Sequence, residues 1–276
     1  MTSDLAVVTV AHGRHQHLRR QRLGLLAGTR APVVHVVVSM GDPAIAAVLA
    51  EEPGLHTDLV WLDASEKLPL ARARNAGVAR AAQLGASAVA LLDVDCIPEP
   101  GLVGDYTSLL SQVPDGGPAV ISGRVRYLPE GMTEADYTPE RLELLGRDHP
   151  ARIVPTEPLV PGDPTMMWSL NLAMTLGDWD AVGGFDDSYV GYGGEDTDFG
   201  QRVAAAGGGM WWTARAGVFH QWHPTSSPPV QHVADIVTNA NLFHARWGWY
   251  PMGGWLEKFQ EMGLVELTDH GWALTR

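Results

Sequence analysis

Apolar runs and amphipathic stretches alternate along the first part of the chain. Residues 5–10 are short, apolar and β-branched, and predict a buried strand. His12, Gly13, His15 and His17 break that run, and residues 18–26 then carry helical spacing that stops near Gly28. Residues 33–38 predict a second strand, 39–43 a loop, 45–49 the start of a helix and 59–62 a third strand. Pro69 opens a helix that runs through Arg74 and Val78 to Leu84, Gly85 ends it, and residues 88–92 predict a fourth strand. Buried strands alternating with helices argue for an α/β architecture, with a mostly parallel central sheet flanked by helices. Ligands in such folds gather at the carboxyl ends of strands, where Asp93 and Asp95 fall.

The rhythm changes after Pro98-Glu99-Pro100. Residues 102–110 have helical spacing and 119–127 read as a strand. Residues 133–165 are rich in proline and charge, with one short helical piece at 142–145. Strand character returns at 170–175, 210–212 and 218–220; helices are expected at 179–182, 199–206, 232–247 and 256–262. No repeat or linker divides the chain, so one domain over 1–276 is expected. Within it, 1–100 form a ligand-binding half, 101–225 a second half with a variable insertion at 133–165, and 226–276 a C-terminal helical extension.

Composition narrows the function. At 45% hydrophobic the chain can bury a large core. With 32 acidic against 19 basic residues the formal charge is −13, which argues against a nucleic-acid partner. The single cysteine, Cys96, allows no internal disulfide and no Cys-rich zinc site. The N-terminus does not read as a signal peptide, and no run approaches the roughly 20 apolar residues of a transmembrane segment. A cytoplasmic enzyme is the expectation. Ten tryptophans fit either a packed aromatic core or platforms for sugar rings.

Two acidic clusters carry the candidate chemistry. Asp93-Val94-Asp95 ends an apolar strand, and alternating carboxylates there suit a hard divalent ion with the phosphates it carries. Gly193-Gly194-Glu195-Asp196-Thr197-Asp198 is the second cluster and can supply a general base to the same crevice. Two glycines before the carboxylates let the backbone approach a ligand closely. Glu195 and Asp196 have a second reading as acidic residues at a helix start. His12, His15 and His17 do not form a standard metal set.

Arg72-Ala73-Arg74-Asn75-Ala76-Gly77, followed by residues 88–95 with Asp93-Val94-Asp95, resembles the donor-binding half of family 2-like glycosyltransferases of the GT-A fold. Residues 179–186, continued by Tyr192-Gly193-Gly194-Glu195-Asp196-Thr197-Asp198-Phe199, are similar to the acceptor-side segment of β-1,4-galactosyltransferases and polypeptide N-acetylgalactosaminyltransferases. The resemblance covers residues 4–225, although His12-Gly13-Arg14 departs from the family's usual wording. It implies an inverting, metal-dependent hexosyltransferase that uses a nucleoside-diphosphate sugar, UDP-linked by preference, and a hydroxyl acceptor on a sugar, small metabolite or peptide.

The same resemblance assigns residues. Ala11, His12 and Arg14 would flank base and ribose, and Ser39 and Asp42 would help enclose the base. Arg72 and Arg74 would approach the diphosphate. Asp95 would be the primary ligand of Mn²⁺ or Mg²⁺, and Asp93, beside Val94, would bridge ribose, water or metal. His220, then His223, is the candidate for the third ligand. Asp196 would be the base, with Glu195 on the donor sugar or acceptor and Gly193 and Gly194 against the ligand. Trp168, Trp179, Tyr192 and Trp222 would line sugar sites. The competing readings are a nucleotidyltransferase acting on sugar phosphates and a non-catalytic carbohydrate-binding protein of the same fold.

Overall fold

The computed structural model describes residues 4–64, 67–150 and 152–275. The first half follows the predicted alternation: β1 (Leu5–Ala11), α1 (His15–Leu26), β2 (His35–Met40), α2 (Ile45–Glu51), β3 (Thr57–Leu62), α3 (Leu70–Gln83) and β4 (Ala88–Leu92). Then come β5 (Cys96–Pro98), α4 (Leu102–Leu110), β6 (Ala119–Ser122), β7 (Val125–Tyr127), α5 (Pro139–Leu145), β8 (Arg147–Asp148) and β9 (Val160–Gly162). The chain continues through β10 (Asn171–Thr175), α6 (Leu176–Val182), α7 (Glu195–Ala205), β11 (Gly209–Trp212) and β12 (Val218–His220). It closes with α8 (Val233–Trp247), α9 (Gly253–Glu261), β13 (Val265–Thr268) and β14 (Gly271–Leu274).

The main sheet runs β3-β2-β1-β4-β10-β6-β11-β9. β3, β2, β1 and β4 are mutually parallel, whereas β10 is antiparallel to both β4 and β6. β1 is buried along its whole length because both faces are covered. Ala6, Val8 and Val10 pack in one core layer with Ala73 and Val78 of α3; Leu5 and Val7 pack in the other with Tyr106 and Leu109 of α4. The chain leaves β1 for β2 on one side and later returns to β4 on the other. The crevice beyond the ends of β1 and β4 is therefore the switch point where ligands bind in open α/β sheets.

Close contact between α3 and β1 depends on Gly77. A Cβ there would lie 2.4 Å from Val8 Cγ1 and 3.0 Å from Val38 Cγ2. Gly77→Ala gains about 1 kcal/mol in helix propensity, but overpacking a core typically costs about 1–3 kcal/mol. We expect a net loss of stability, read as a lower midpoint in thermal denaturation.

Several elements differ from their sequence expectation, among them the short strands β8 and β9 within 133–165. The single strand expected over 119–127 is two, because the chain crosses between sheets at Gly123, where a Cβ would sit 2.2 Å from the Ala216 carbonyl oxygen. β5, too short to show a pattern, pairs with β12 in a second sheet ordered β5-β12-β7-β8. The C-terminal extension is helical only as far as α9 and ends in the β13–β14 hairpin.

Candidate functional site

The site is built where β4 ends. Asp93 to Cys96 make a tight turn, closed by the Cys96 N–H donating to the Asp93 carbonyl at 2.9 Å. Gln21, buried on α1, secures it by donating Nε2 to the carbonyls of Asp93 (2.7 Å) and Cys96 (3.2 Å). β12 pairs antiparallel with β5, opposing His220 to Cys96, and the Gln221 N–H donates to the Asp95 carbonyl at 2.7 Å. That register delivers both histidines to Asp95. His220 Nε2 is 3.5 Å from Asp95 Oδ1, and His223 Nε2 is 3.2 Å from Oδ2. One donor atom from each of the three residues falls within 4.8 Å of the others.

The electrostatics suit a cation. Burial would raise the Asp95 carboxyl, but the His223 hydrogen bond and the charges of His220, His223 and Arg14 outweigh it and hold it below the usual range. Burial lowers the His220 imidazole, favouring the neutral ring that ligates metal. His223 Nδ1 lies 3.3 Å from the Pro224 carbonyl, which would accept the Nδ1 proton when Nε2 ligates a metal. Tyr127 stacks on His220 with centroids 4.6 Å apart and fixes its ring. Asp95 Oδ1 is buried without a hydrogen-bond partner. An orphan carboxylate oxygen facing imidazole nitrogens is a donor set that fits a divalent cation.

The second acidic cluster faces the first through Arg74. This buried guanidinium reaches Glu195 Oε1 at 3.3 Å, Asp93 Oδ1 at 3.4 Å and Asp196 Oδ1 at 3.8 Å. Glu195 and Asp196 occupy the first turn of α7, yet neither side chain caps the helix. Asp196 Oδ2 instead accepts the Ser169 N–H at 3.0 Å, and its Oδ1 has no hydrogen-bond partner. Burial, reinforced by the charge of Asp196 and opposed by Arg74, pushes the Glu195 carboxyl up to about 7. Burial likewise pushes Asp93 up to about 6, with Arg74 opposing and Asp95 and Asp196 reinforcing.

The raised Glu195 value makes a stability prediction. Its folded pKa exceeds the unfolded one, so between them the native state holds a proton that the unfolded chain has lost. The stability this contributes is complete below the unfolded value and disappears as pH rises through about 7. Thermal denaturation in EDTA at several pH values between pH 5 and pH 8 should therefore show a flatter profile for Glu195→Gln than for the parent.

The remaining predicted residues are distributed as follows. Ala11 and Val94 share one apolar cluster, which brings the ends of β1 and β4 together. His12 Nδ1 is 2.7 Å from the Met40 carbonyl. Asp42 Oδ2 accepts the Gly13 N–H at 2.8 Å and contacts His15 Nε2 at 2.7 Å, while Ser39 Oγ donates to the Asp42 carbonyl at 2.7 Å. The loops at 12–15 and 39–42 thus brace one another at the crevice. Arg14, with φ of 53°, precedes α1 and directs its charge at Asp95. Arg72 is exposed and forms no ion pair with a described residue, so the neighbouring Arg74 alone joins the cluster.

Gly193 and Gly194, at φ of 90° and 92°, adopt a backbone that favours glycine. A Cβ on Gly193 would meet Met252 Sδ at 2.7 Å, and one on Gly194 would meet the Tyr189 ring at 3.1 Å. The left-handed turn into α7 requires them. Asp198 braces rather than caps: fully buried, it accepts from Arg246 Nη1 and Trp247 Nε1, each at 2.8 Å, and ties α7 to α8. Trp179 is a core residue packed on Phe185 and Phe199, not a sugar platform. Tyr192 and Trp222 are exposed, and Tyr192 stacks on His232 at 4.6 Å. Trp168 packs edge-on to His149. Sequence reasoning passed over Gln21, Ser169 and Tyr127, whose roles arise from contacts between distant segments.

A family model described as the N-terminal domain of galactosyltransferase matches residues 161–220, which include Glu195, Asp196 and His220. No curated protein matches the chain. Among solved structures, residues 1–349 of S. aureus TarS align with a TM-score of 0.59 at 13% identity, over 88% of this chain and 64% of that one. The same TarS fragment in complex with UDP-GlcNAc gives 0.60 at 11% identity, over 94% and 78%. GalNAc-T7 with UDP, GalNAc and Mn²⁺ gives 0.59 at 17% identity, over 95% of this chain and 54% of that one. The chain therefore has the GT-A glycosyltransferase fold, and it spans 54–64% of the length of two of these structures. No helix among the described residues is long and apolar enough to cross a membrane.

Proposed function

We propose that this chain is an inverting, metal-dependent glycosyltransferase that moves a hexose from a UDP-linked donor to a hydroxyl of a sugar, small metabolite or peptide. The observation that carries this reading is the convergence of Asp95, His220 and His223 on one point beside Glu195 and Asp196, in a GT-A fold. Solved structures of that fold hold UDP-GlcNAc in one case, and UDP, GalNAc and Mn²⁺ in another.

Asp95, His220 and His223 would hold the ion, and Mn²⁺ is favoured over Mg²⁺ because two of the three donors are imidazoles. Bound there, it would offset the charge that builds on the leaving diphosphate. Asp93 faces ribose or water, and Arg14 and Arg72 approach the phosphates. Ala11, His12, Ser39 and Asp42 shape the base pocket. Asp196 accepts the acceptor hydroxyl proton as that oxygen bonds to the anomeric carbon. The carbon–oxygen bond to the diphosphate breaks, the nucleoside diphosphate leaves with the electron pair, and the anomeric centre inverts. Glu195, partly protonated near neutral pH, donates a hydrogen bond to sugar hydroxyls in its protonated form, while Arg74 neutralises the surrounding carboxylates. Residues 1–100 serve the donor and 101–225 the acceptor, in a cytoplasmic enzyme.

Calorimetric titration with UDP-sugars and GDP-sugars, each in Mn²⁺ and in EDTA, tests this reading. We expect Mn²⁺-dependent binding of a UDP-sugar. Binding that is indifferent to EDTA, or absent for every nucleotide-sugar, would overturn it.

A further inference from the structure

Arg152 differs from the other buried arginines. Arg22 donates to Thr57 and to the carbonyls of Leu49 and Glu52, Arg126 pairs with Glu99 and Glu143, and Arg74 sits among three carboxylates. Arg152 is 8% exposed, and its one side-chain hydrogen bond to a described residue runs from Nη1 to Ser122 Oγ at 3.0 Å. Its Nε and Nη2 are buried with no hydrogen-bond partner, and no described carboxylate pairs with it. A buried cation without a counter-charge is strongly unfavourable, so this one needs a reason.

Its surroundings supply one. The guanidinium lies between the rings of Trp168 and Trp212, 4.7 and 5.1 Å from their centroids. Ser169, next to Trp168, donates its N–H to Asp196, and its own buried Oγ has no partner. The cation therefore packs on the segment that holds the proposed base, and the charge of Asp196 is among those that act on it. Nε–H and one N–H of Nη2 point the same way. They form the edge of the guanidinium fork that takes a carboxylate or phosphate through two parallel hydrogen bonds.

We propose that Arg152 binds a carboxylate or phosphate group of the acceptor, which makes anionic acceptors the substrate class of this site. The inference rests on the transferase reading for the word acceptor, but not for the anion site itself. Both free nitrogens are shielded from solvent, so seating the anion displaces Trp168, the more exposed of the two flanking indoles. Trp168 then forms a wall beside the charged group.

Titration of the intact protein with inorganic phosphate and with acetate in EDTA, followed by tryptophan fluorescence, tests the anion site. We expect a saturable response to one of them, with its midpoint raised about tenfold or more in Arg152→Gln, the loss of one charge-assisted contact. No response, or an identical one in the variant, overturns the proposal. Arg152→Met supplies a check on folding: a melting temperature at or above that of the parent is expected, and a fall of several degrees would assign Arg152 to the fold instead. Matched acceptors (glucose, glucuronic acid and glucose 6-phosphate) then separate carboxylate from phosphate. The charged acceptor should be preferred by about tenfold in kcat/KM, and that preference should vanish in Arg152→Gln. Failure of nucleotide-sugar binding would sink the transferase reading while leaving the phosphate response intact; the reverse pattern would sink only the role of Arg152.

Discussion

Asp196→Asn will lower turnover about 10³-fold while preserving metal-dependent binding of the nucleotide-sugar, within the range expected when a general base is removed. Asparagine matches the aspartate in shape and keeps an oxygen for the Ser169 N–H, so the start of α7 should survive. What it loses is the capacity to accept a proton. Asp196 is well placed to do so, because its side chain is 23% exposed and its Oδ1 makes no hydrogen bond. Glu195, raised to about 7, is the weaker candidate, because it is partly protonated where the base must be free. Single-turnover kinetics with donor affinity measured in parallel would check this. Turnover retained in Asp196→Asn but lost in Glu195→Gln would exchange the two roles.

Asp95→Asn will weaken Mn²⁺-dependent donor binding by about 100-fold or more, since even outer-shell partners of a metal site are worth about 10–100-fold in affinity. The substitution removes the one negative charge among the three ligands and leaves two imidazoles facing an amide. His220→Ala and His223→Ala should each produce a smaller loss, and the pair together should approach the effect of Asp95→Asn. Removing Mn²⁺ from the parent with EDTA should reproduce the same loss. Direct Mn²⁺ titration separates metal affinity from nucleotide affinity. An unchanged Mn²⁺ affinity in Asp95→Asn would remove this carboxylate from the site.

The alternation of buried strands and amphipathic helices was legible because local burial imposes local periodicity. β1, β2, β4, α1 and α3 follow from it directly. Asp93-Val94-Asp95 was legible as well, since it ends a continuous apolar run. β5, the crossing at Gly123 and the β13–β14 hairpin were not, being too short to show a period or fixed by contacts far along the chain. Gly193 and Gly194 signal close backbone approach, but a glycine in a sequence does not say which protein atoms lie against it. Met252 packs on Gly193 from a distant segment, whereas Tyr189 packs on Gly194 from the same loop.

By itself, then, the sequence determined the layered α/β architecture and the two acidic clusters, which are properties of neighbouring residues. Tertiary structure alone decided that both His220 and His223, rather than one of them, join Asp95. The pairing of β12 with β5 sets His220 opposite Cys96 and folds His223 back, and a shift of one residue would turn His220 to the other face. It also decided that Arg74 rather than Arg72 meets the carboxylates, and that Arg152 is buried with its Nε and Nη2 unpartnered. Register, burial and charge compensation depend on segments distant in the chain, and no local pattern encodes them.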